Sequence, residues 1–153
     1  MSGVFWNSDG FRDPMKHRFV SDLSKEHTLS FIAISETVRR SFSDSFLRNL
    51  SGGRNFIWHT KEPTGRSGGG ILLGVDLDVF DIGAIDEGEF YVKFKVCNKS
   101  DSVKWALTVV YGPAQFERKE AFLTELVQMA NHETLPILIG GDFNILRHPH
   151  EKN

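Results

Sequence analysis

The sequence contains a single cysteine, Cys97, among its 153 residues. One thiol can form neither an internal disulfide nor a zinc site built from several thiolates, so a reducing, intracellular compartment is favoured. The sequence also lacks any apolar run near the roughly 20 residues that a membrane-spanning helix needs. Residues 1–11 contain no apolar core of the length typical of a secretory signal. We therefore expect an intracellular protein with no membrane partner, and nothing in the sequence distinguishes the nucleus from the cytoplasm.

An excess of positive charge is absent as well. Eighteen Lys and Arg residues stand against 20 Asp and Glu residues, which gives a formal net charge of −2. No global positive field marks the chain as a tight nucleic-acid binder, although a local basic groove remains compatible with this balance. Hydrophobic residues make up 40% of the chain and include 13 phenylalanines, which is ample for a buried core. The length predicts one domain.

The apolar pattern predicts helices and strands that are interspersed along the chain. Asp13 followed by Pro14 favours a helix over 14–27, Ser43 favours a short second helix that stops at Gly52, and a third helix is predicted over about 116–131. Strands are predicted at 4–6, 30–35, 56–58, 71–75, 89–97, 104–111 and 136–140. The strand at 89–97 alternates strictly, which is typical of an edge or antiparallel strand.

The strands at 31–34, 71–75 and 137–139 are apolar on both faces, so the sheet that contains them is expected to be covered on both sides. The predicted elements suffice for one sheet and its helices. We therefore expect an α/β (α+β) fold with one mixed sheet, covered by helices on one face, from which the second sheet is missing.

Polar residues follow several of these strands at the point where each strand ends. The strand at 136–140 runs into Gly141, Asp142, Phe143 and Asn144. A carboxylate and an amide two residues apart provide hard oxygen ligands for a metal ion and a donor for phosphate. Asp and Asn after a strand are also ordinary turn residues, and from these four residues alone the two interpretations are about even.

Three other strand ends provide matching groups. Asn7 follows Trp6, Glu36 follows the strand at 31–34, and Tyr111 precedes a glycine and a proline. Each of these alone is better explained as a solvated strand end or a turn. Together, at the ends of four strands, they favour a site that cleaves phosphodiesters. The loop at 66–70 lacks the lysine and the Ser or Thr of a P-loop, so a hairpin turn is predicted there.

The ordered motifs resemble those of the endonuclease/exonuclease/phosphatase superfamily, and in particular the N-terminal part of the endonuclease domains of plant non-LTR retrotransposons. The motifs are Trp6-Asn7, Ser35-Glu36-Thr37, Val110-Tyr111-Gly112-Pro113 and Ile139 to Asn144, and the segments 67–73 and 145–153 are similar to the retrotransposon subgroup. The resemblance covers nearly all of 1–153. It implies a partial domain, the N-terminal half of a four-layer αββα sandwich.

The resemblance also implies a Mg²⁺-dependent, reverse-transcriptase-associated DNA endonuclease. Glu36 would be the metal ligand, assisted by Asn7, and Asp142 would orient or activate the attacking water. Asn144 and Tyr111 would bind the phosphate. Mg²⁺ takes few carboxylates plus waters and stabilises charge on phosphoryl oxygens. One departure is Asp9, which stands where the family commonly has an arginine and which disfavours an anionic substrate.

The closing Asp-His motif of the family has no counterpart in the chain, and general-base assistance is worth roughly 10²–10⁴-fold in rate. We therefore expect a fragment with little or no nicking activity alone. Two alternatives stay open at this point. In the first alternative, the chain is a non-catalytic remnant that binds a partner or itself through an uncovered sheet face. In the second, it is a phosphatase that acts on a small phosphate ester. The retrotransposon-like tail favours DNA as the partner.

Overall fold

The computed structural model describes residues 1–64 and 69–145 of the chain. In these ranges it has eight strands, three α-helices and a 3₁₀ turn at Phe116–Arg118. The elements are, in order, β1 (Gly3–Asn7), α1 (Pro14–His27), β2 (Phe31–Ser35), α2 (Asp44–Leu50), β3 (Phe56–Lys61), β4 (Ile71–Asp76), β5 (Phe80–Glu87), β6 (Tyr91–Asn98), β7 (Lys104–Tyr111), α3 (Lys119–His132) and β8 (Ile137–Asp142). The segment 145–153 and the turn predicted at 66–70 lie largely outside the described residues.

The first two helices begin where the sequence predicts. The side chain of Asp13 accepts a hydrogen bond from the Met15 backbone N–H at 2.9 Å, and Pro14 occupies the first helical position of α1. Ser43 caps α2 in the same way by accepting from the Phe46 N–H. Within the described ranges, no helix combines the length and the apolar character that crossing a membrane requires.

The strands form two four-stranded sheets, with the orders β1-β2-β4-β3 and β5-β6-β7-β8. Each sheet has one parallel pair, which is β1 with β2 in the first sheet and β7 with β8 in the second. The other neighbouring strands are antiparallel, including β6 with both of its neighbours. The parallel pairs place the carboxyl ends of their two strands at the same edge of each sheet.

The expectation of a single mixed sheet is wrong, because β5 to β8 build a second sheet that packs face to face on the first. The apolar cluster between the sheets takes Ala33 and Leu73 from the first sheet and Phe94, Leu107 and Val109 from the second, all of them at most 1% exposed. The face of the first sheet that was expected to be uncovered is thus covered by the second sheet. Leu138 and Ile139 of β8 remain 44% and 36% exposed, and self-association stays a prediction.

Helices cover the two outer faces. On the first sheet, α1 and α2 pack through Val20 and Leu50 against Ile32 and Leu72. On the second sheet, α3 packs through Phe122, which is fully buried. The α/β class and the four-layer αββα sandwich are confirmed, and both central sheets are present.

Candidate active site

The strand ends of the two sheets meet along one edge of the sandwich. Asn7 ends β1 and pairs in register with the last residue of β2, so Glu36, the next residue, lies at the same edge. In the second sheet Tyr111 ends β7 and pairs with Asp142 at the end of β8. Because β1 lies against β8 and β2 against β7, the ends of four strands come together.

Asn7 connects the carboxylates of the two sheets. Its Nδ2 donates a hydrogen bond to Oδ2 of Asp142 at 2.7 Å, and its Oδ1 accepts from the backbone N–H of Asp9 at 3.1 Å. The Asn7 amide and the Tyr111 hydroxyl also lie close enough to the Glu36 carboxylate to favour its charged form. The predicted residues of the two sheets therefore form one polar network, in which the bond from Asn7 to Asp142 joins the sheets.

Asn144 holds Asp142 from the other side. Its backbone N–H donates to Oδ1 of Asp142 at 2.9 Å, and its side-chain Nδ2 donates to the Gly112 carbonyl at 2.6 Å. The Gly112 N–H in turn donates to the carbonyl of Asp142 at 2.6 Å. Together with the bond from Asn7 to Oδ2, the bond from Asn144 fixes both carboxylate oxygens of Asp142. These contacts also leave one amide hydrogen of Asn144 without a partner among the described residues.

Four non-glycine residues at this edge adopt the left-handed backbone region, namely Asp9 (φ 50°), Glu36 (φ 57°), Val38 (φ 57°) and Asn144 (φ 50°). Asp and Asn tolerate this conformation well, whereas for Glu it costs on the order of 1 kcal/mol or more. Two backbone hydrogen bonds hold the strained segment, from Gly10 N–H to the Glu36 carbonyl at 2.7 Å and from Phe11 N–H to the Thr37 carbonyl at 2.9 Å. Strain held in this way is a frequent property of functional sites.

The electrostatics of the cluster are dominated by negative charge. Burial raises the pKa of Glu36 above its ordinary value, and the carboxylates of Asp9 and Asp142 add to the rise, while the hydrogen bonds from Asn7 and Tyr111 oppose it. Burial, followed by the charges of Glu36 and Asp142, raises the pKa of Tyr111 to about 12. Tyr111 therefore stays protonated at neutral pH and acts as a hydrogen-bond donor.

Asp9 is a member of the cluster that the sequence analysis does not include among the site residues. Its carboxylate adds to the negative charge around Glu36 and Tyr111, and the expectation that Asp9 disfavours an anionic substrate stays a prediction. The spacing held a signal, because Asn7 and Asp9 after β1 mirror Asp142 and Asn144 after β8. In both places an amide and a carboxylate two residues apart follow a strand.

The chemistry of these donors fits a small, hard divalent cation. In the described part of the chain no three or more His, Cys, Asp or Glu side chains form a group that could hold a metal by themselves. Mg²⁺ does not require such a group, since one or two carboxylates plus waters suffice. Glu36, Asp142 and the Asn7 amide oxygen are all hard ligands. A cation would offset the negative charges of Asp9 and Asp142, which add to burial in raising the pKa of Glu36.

The two facing mixed sheets, with helices outside, define an α/β sandwich protein with a polar strand-end site. Residues 4–151 match the model of the Endonuclease/Exonuclease/phosphatase family, and the chain belongs to this family. No curated protein sequence matches the chain.

Solved structures with the same fold include a phosphatase and a protein bound to a single-stranded DNA product. The human Nocturnin catalytic domain with bound sulfate is 11% identical, with a TM-score of 0.75 over 94% of this chain and 64% of that one. TDP2 from D. rerio, complexed with single strand DNA product, is 13% identical, with a TM-score of 0.68 over 95% of this chain and 61% of that one. A mannosyl-6-phosphatase from Bacteroides thetaiotaomicron is 12% identical, with a TM-score of 0.64 over 97% and 66%. The chain therefore spans less than two thirds of each of these structures.

Proposed function

We propose that the chain is a phosphodiesterase that depends on a divalent cation, in the manner of a DNA endonuclease. The observation that carries the proposal is the polar network of Asn7, Glu36, Tyr111 and Asp142, in which the hydrogen bond from Asn7 to Asp142 joins the strand ends of both sheets. A core-stabilising role does not account for this network, because apolar packing already joins the two sheets. The network instead concentrates negative charge at an edge of the sandwich.

In this proposal Glu36 and Asn7 hold Mg²⁺. When bound there, the ion would supply Lewis-acid stabilisation of the charge that develops on the phosphoryl oxygens. Asp142 orients the attacking water, since the Asn7 amide and the Asn144 N–H fix both of its oxygens. Tyr111 donates a hydrogen bond to the phosphate, which its raised pKa permits over the neutral range, and Asn144 donates its remaining amide hydrogen.

DNA is the substrate we propose, with a plant retrotransposon endonuclease as the proposed origin. Two features support it, the subgroup-like segments at 67–73 and 145–153 and the DNA product bound by the TDP2 neighbour. The share of the neighbours that the chain spans agrees with the hypothesis that 1–153 is part of a longer domain. A phosphatase acting on a small ester is the second candidate, and the fold shared with the mannosyl-6-phosphatase favours it.

We expect the reaction of this chain to be slow. In the described residues no histidine hydrogen-bonds to the strand-end network, and His17, His59 and His132 have their hydrogen-bond partners elsewhere. Without an imidazole base a reaction loses roughly 10²–10⁴-fold in rate.

Nicking of a supercoiled plasmid in millimolar Mg²⁺, with EDTA as the blank, tests this function. We expect slow nicking that EDTA abolishes and that Asp142→Ala lowers by about 10²-fold or more, the scale of losing a group that acts in the transition state. Asp22→Ala is the matched control, because Asp22 is exposed on α1 and outside the network. Equal nicking by the Asp142→Ala and unmodified proteins, or nicking that is insensitive to EDTA, would exclude the proposal.

A further inference from the structure

Two arginines lie on the loops that follow β1 and β2, next to the strand-end network. Arg12 Nη2 donates a hydrogen bond to the Val38 carbonyl at 3.0 Å, and Arg39 Nη1 donates to the Phe11 carbonyl at 3.4 Å. Each guanidinium is thus anchored on the loop of the other. This reciprocal arrangement fixes both side chains where the two loops meet.

Aromatic rings hold the second of these side chains in place. The guanidinium carbon of Arg39 lies 4.5 Å from the ring centroid of Phe42 and 4.7 Å from that of Phe46. The two rings stack on each other with centroids 5.5 Å apart. A planar guanidinium on an aromatic face loses little further freedom when it binds an anion, so the fork of Arg39 is preorganised.

The two guanidiniums lack an anionic partner. Within the described ranges neither forms an ion pair, whereas Arg40, Arg54 and Arg118 pair with Glu62, Asp76 and Glu89 respectively. Arg39 is half-buried, and both its burial and the charge of Arg12 lower its pKa below the ordinary value. Two neighbouring positive groups, one of them partly desolvated, are unfavourable until an anion binds them.

We propose that Arg12 and Arg39 form an anion subsite that binds a second phosphate of a phosphodiester strand while the strand-end network holds the phosphate to be cleaved. The identification of the ligand as a strand depends on the proposed function; the subsite itself does not. Arg39 is three residues from Glu36, so their Cα atoms are at most about 11 Å apart. Phosphates of one DNA strand rise about 3.4 Å per nucleotide, so a phosphate within about three nucleotides of the cleaved bond is in reach.

This subsite distinguishes between the two substrate classes. A strand presents phosphates on both sides of the bond that is cleaved, and its binding gains from both parts of the site. A small phosphate ester presents one phosphate and leaves the two arginines without a ligand. The preorganised pair therefore favours a polynucleotide over a phosphate monoester.

The test is the salt dependence of binding to a fluorescently labelled single-stranded DNA oligonucleotide, measured by anisotropy in EDTA. The double variant Arg12→Gln/Arg39→Gln is compared with Arg18→Gln/Arg48→Gln, which removes two exposed arginines of α1 and α2 and the same net charge. Each phosphate contact contributes about 0.7 to the slope of log K against log salt for single strands. We expect the first double variant to bind less steeply by about 0.7 to 1.4, and the control to keep the slope of the unmodified chain.

Equal slopes for the two double variants would overturn the subsite, as would an unmodified chain whose DNA binding does not respond to salt. Arg39→Gln also removes the stacking of the guanidinium on Phe42 and Phe46, so the double variant could misfold. Two single variants that disturb the fold less then provide the test. Arg12→Gln alone must lose about 0.7 of slope, and Arg39→Lys must keep the slope while it weakens binding. The binding assay involves no turnover, so the two proposals can fail separately. If the unmodified chain nicks plasmid in Mg²⁺ but the two double variants have equal salt slopes, only the subsite is excluded. If the salt slopes differ but no nicking occurs, only the nuclease function is excluded.

Discussion

Replacing Glu36 with glutamine should raise the melting temperature of the metal-free protein and remove its response to Mg²⁺. The carboxylate is held near Asp9 and Asp142, and burial and these two charges raise its pKa. An amide of the same shape keeps an oxygen that accepts from Asn7 and Tyr111 but removes the repulsion. The variant therefore separates the destabilisation caused by the Glu36 charge from the stabilisation provided by the contacts of the side chain.

The size of the effect follows from the exposure of the site. Glu36 is only partly buried, so solvent screens the repulsion and its removal is worth about 1 kcal/mol or less. For a domain of this size, about 1 kcal/mol corresponds to roughly 2–4 °C in melting temperature. Mg²⁺ at ten times its dissociation constant stabilises the unmodified protein by about 1.4 kcal/mol, because it binds only the folded state.

Differential scanning fluorimetry, with and without Mg²⁺ and across pH, measures both quantities. Without metal the Glu36→Gln variant should melt higher than the unmodified protein, and with saturating Mg²⁺ the order should reverse. A carboxyl with a raised folded-state pKa stabilises the protein in its protonated form, and that stabilisation is lost as pH rises through the raised pKa. The advantage of the variant should therefore vanish at acid pH and grow toward neutrality. An unchanged order of melting in Mg²⁺ would refute the assignment of Glu36 as a ligand.

Three further perturbations address the fold and the site. Lys93→Met leaves the side chain of Glu133, which is 1% exposed, without the lysine that lies 2.8 Å away. Urea titration should show a loss of about 2–3 kcal/mol in the free energy of unfolding. The loss is smaller than for a pair with no other cation nearby, because another lysine remains close to Glu133. Gly112→Ala places a Cβ 2.2 Å from the Phe143 carbonyl oxygen, so urea titration should show a loss of about 1–3 kcal/mol. Tyr111→Phe should slow plasmid nicking without moving its pH profile below about pH 10, since the hydroxyl has a pKa of about 12.

Each of these variants has a control in the same chain. Gly83→Ala meets its nearest atoms at 3.5 Å and should leave stability nearly unchanged. Lys104→Met removes an exposed lysine at the start of β7 and should cost about 0.5 kcal/mol or less. Tyr91→Phe removes a hydroxyl outside the strand-end network and should not alter nicking. A control that behaves like its paired variant would show that the interpretation of that variant is wrong.

The elements with clear caps or strong periodicity were predictable from the sequence, and β5 was not. In β5 the acidic residues Asp81 and Asp86 interrupt the apolar pattern, and a bulge between Ile82 and Ile85 shifts the register so that alternation breaks down. The other three strands of the second sheet were predicted, but they were assigned to the same sheet as β1 to β4. Strands that are apolar on both faces show that a layer covers each face, but the nature of the layer depends on tertiary packing.

For the site, the rule that polar residues gather at the ends of neighbouring strands predicted the five side chains that meet. Their catalytic and metal-binding roles stay predictions. The rule does not show which contacts these side chains form, and the bond of the Asn144 amide to the Gly112 carbonyl depends on how two distant loops approach each other. The same limit explains why Asp9 is not among the predicted site residues. Its position beside Glu36 depends on the left-handed turn of the loop after β1.

Crystals soaked in Mn²⁺, which favours the same carboxylate and water ligands as Mg²⁺, offer the most direct measurement through anomalous scattering. We predict one strong peak bonded to the Glu36 carboxylate and the Asn7 amide oxygen, lost in crystals of Glu36→Gln. Manganese bound only at other positions, in a lattice that leaves this edge of the sandwich open to solvent, would contradict the account.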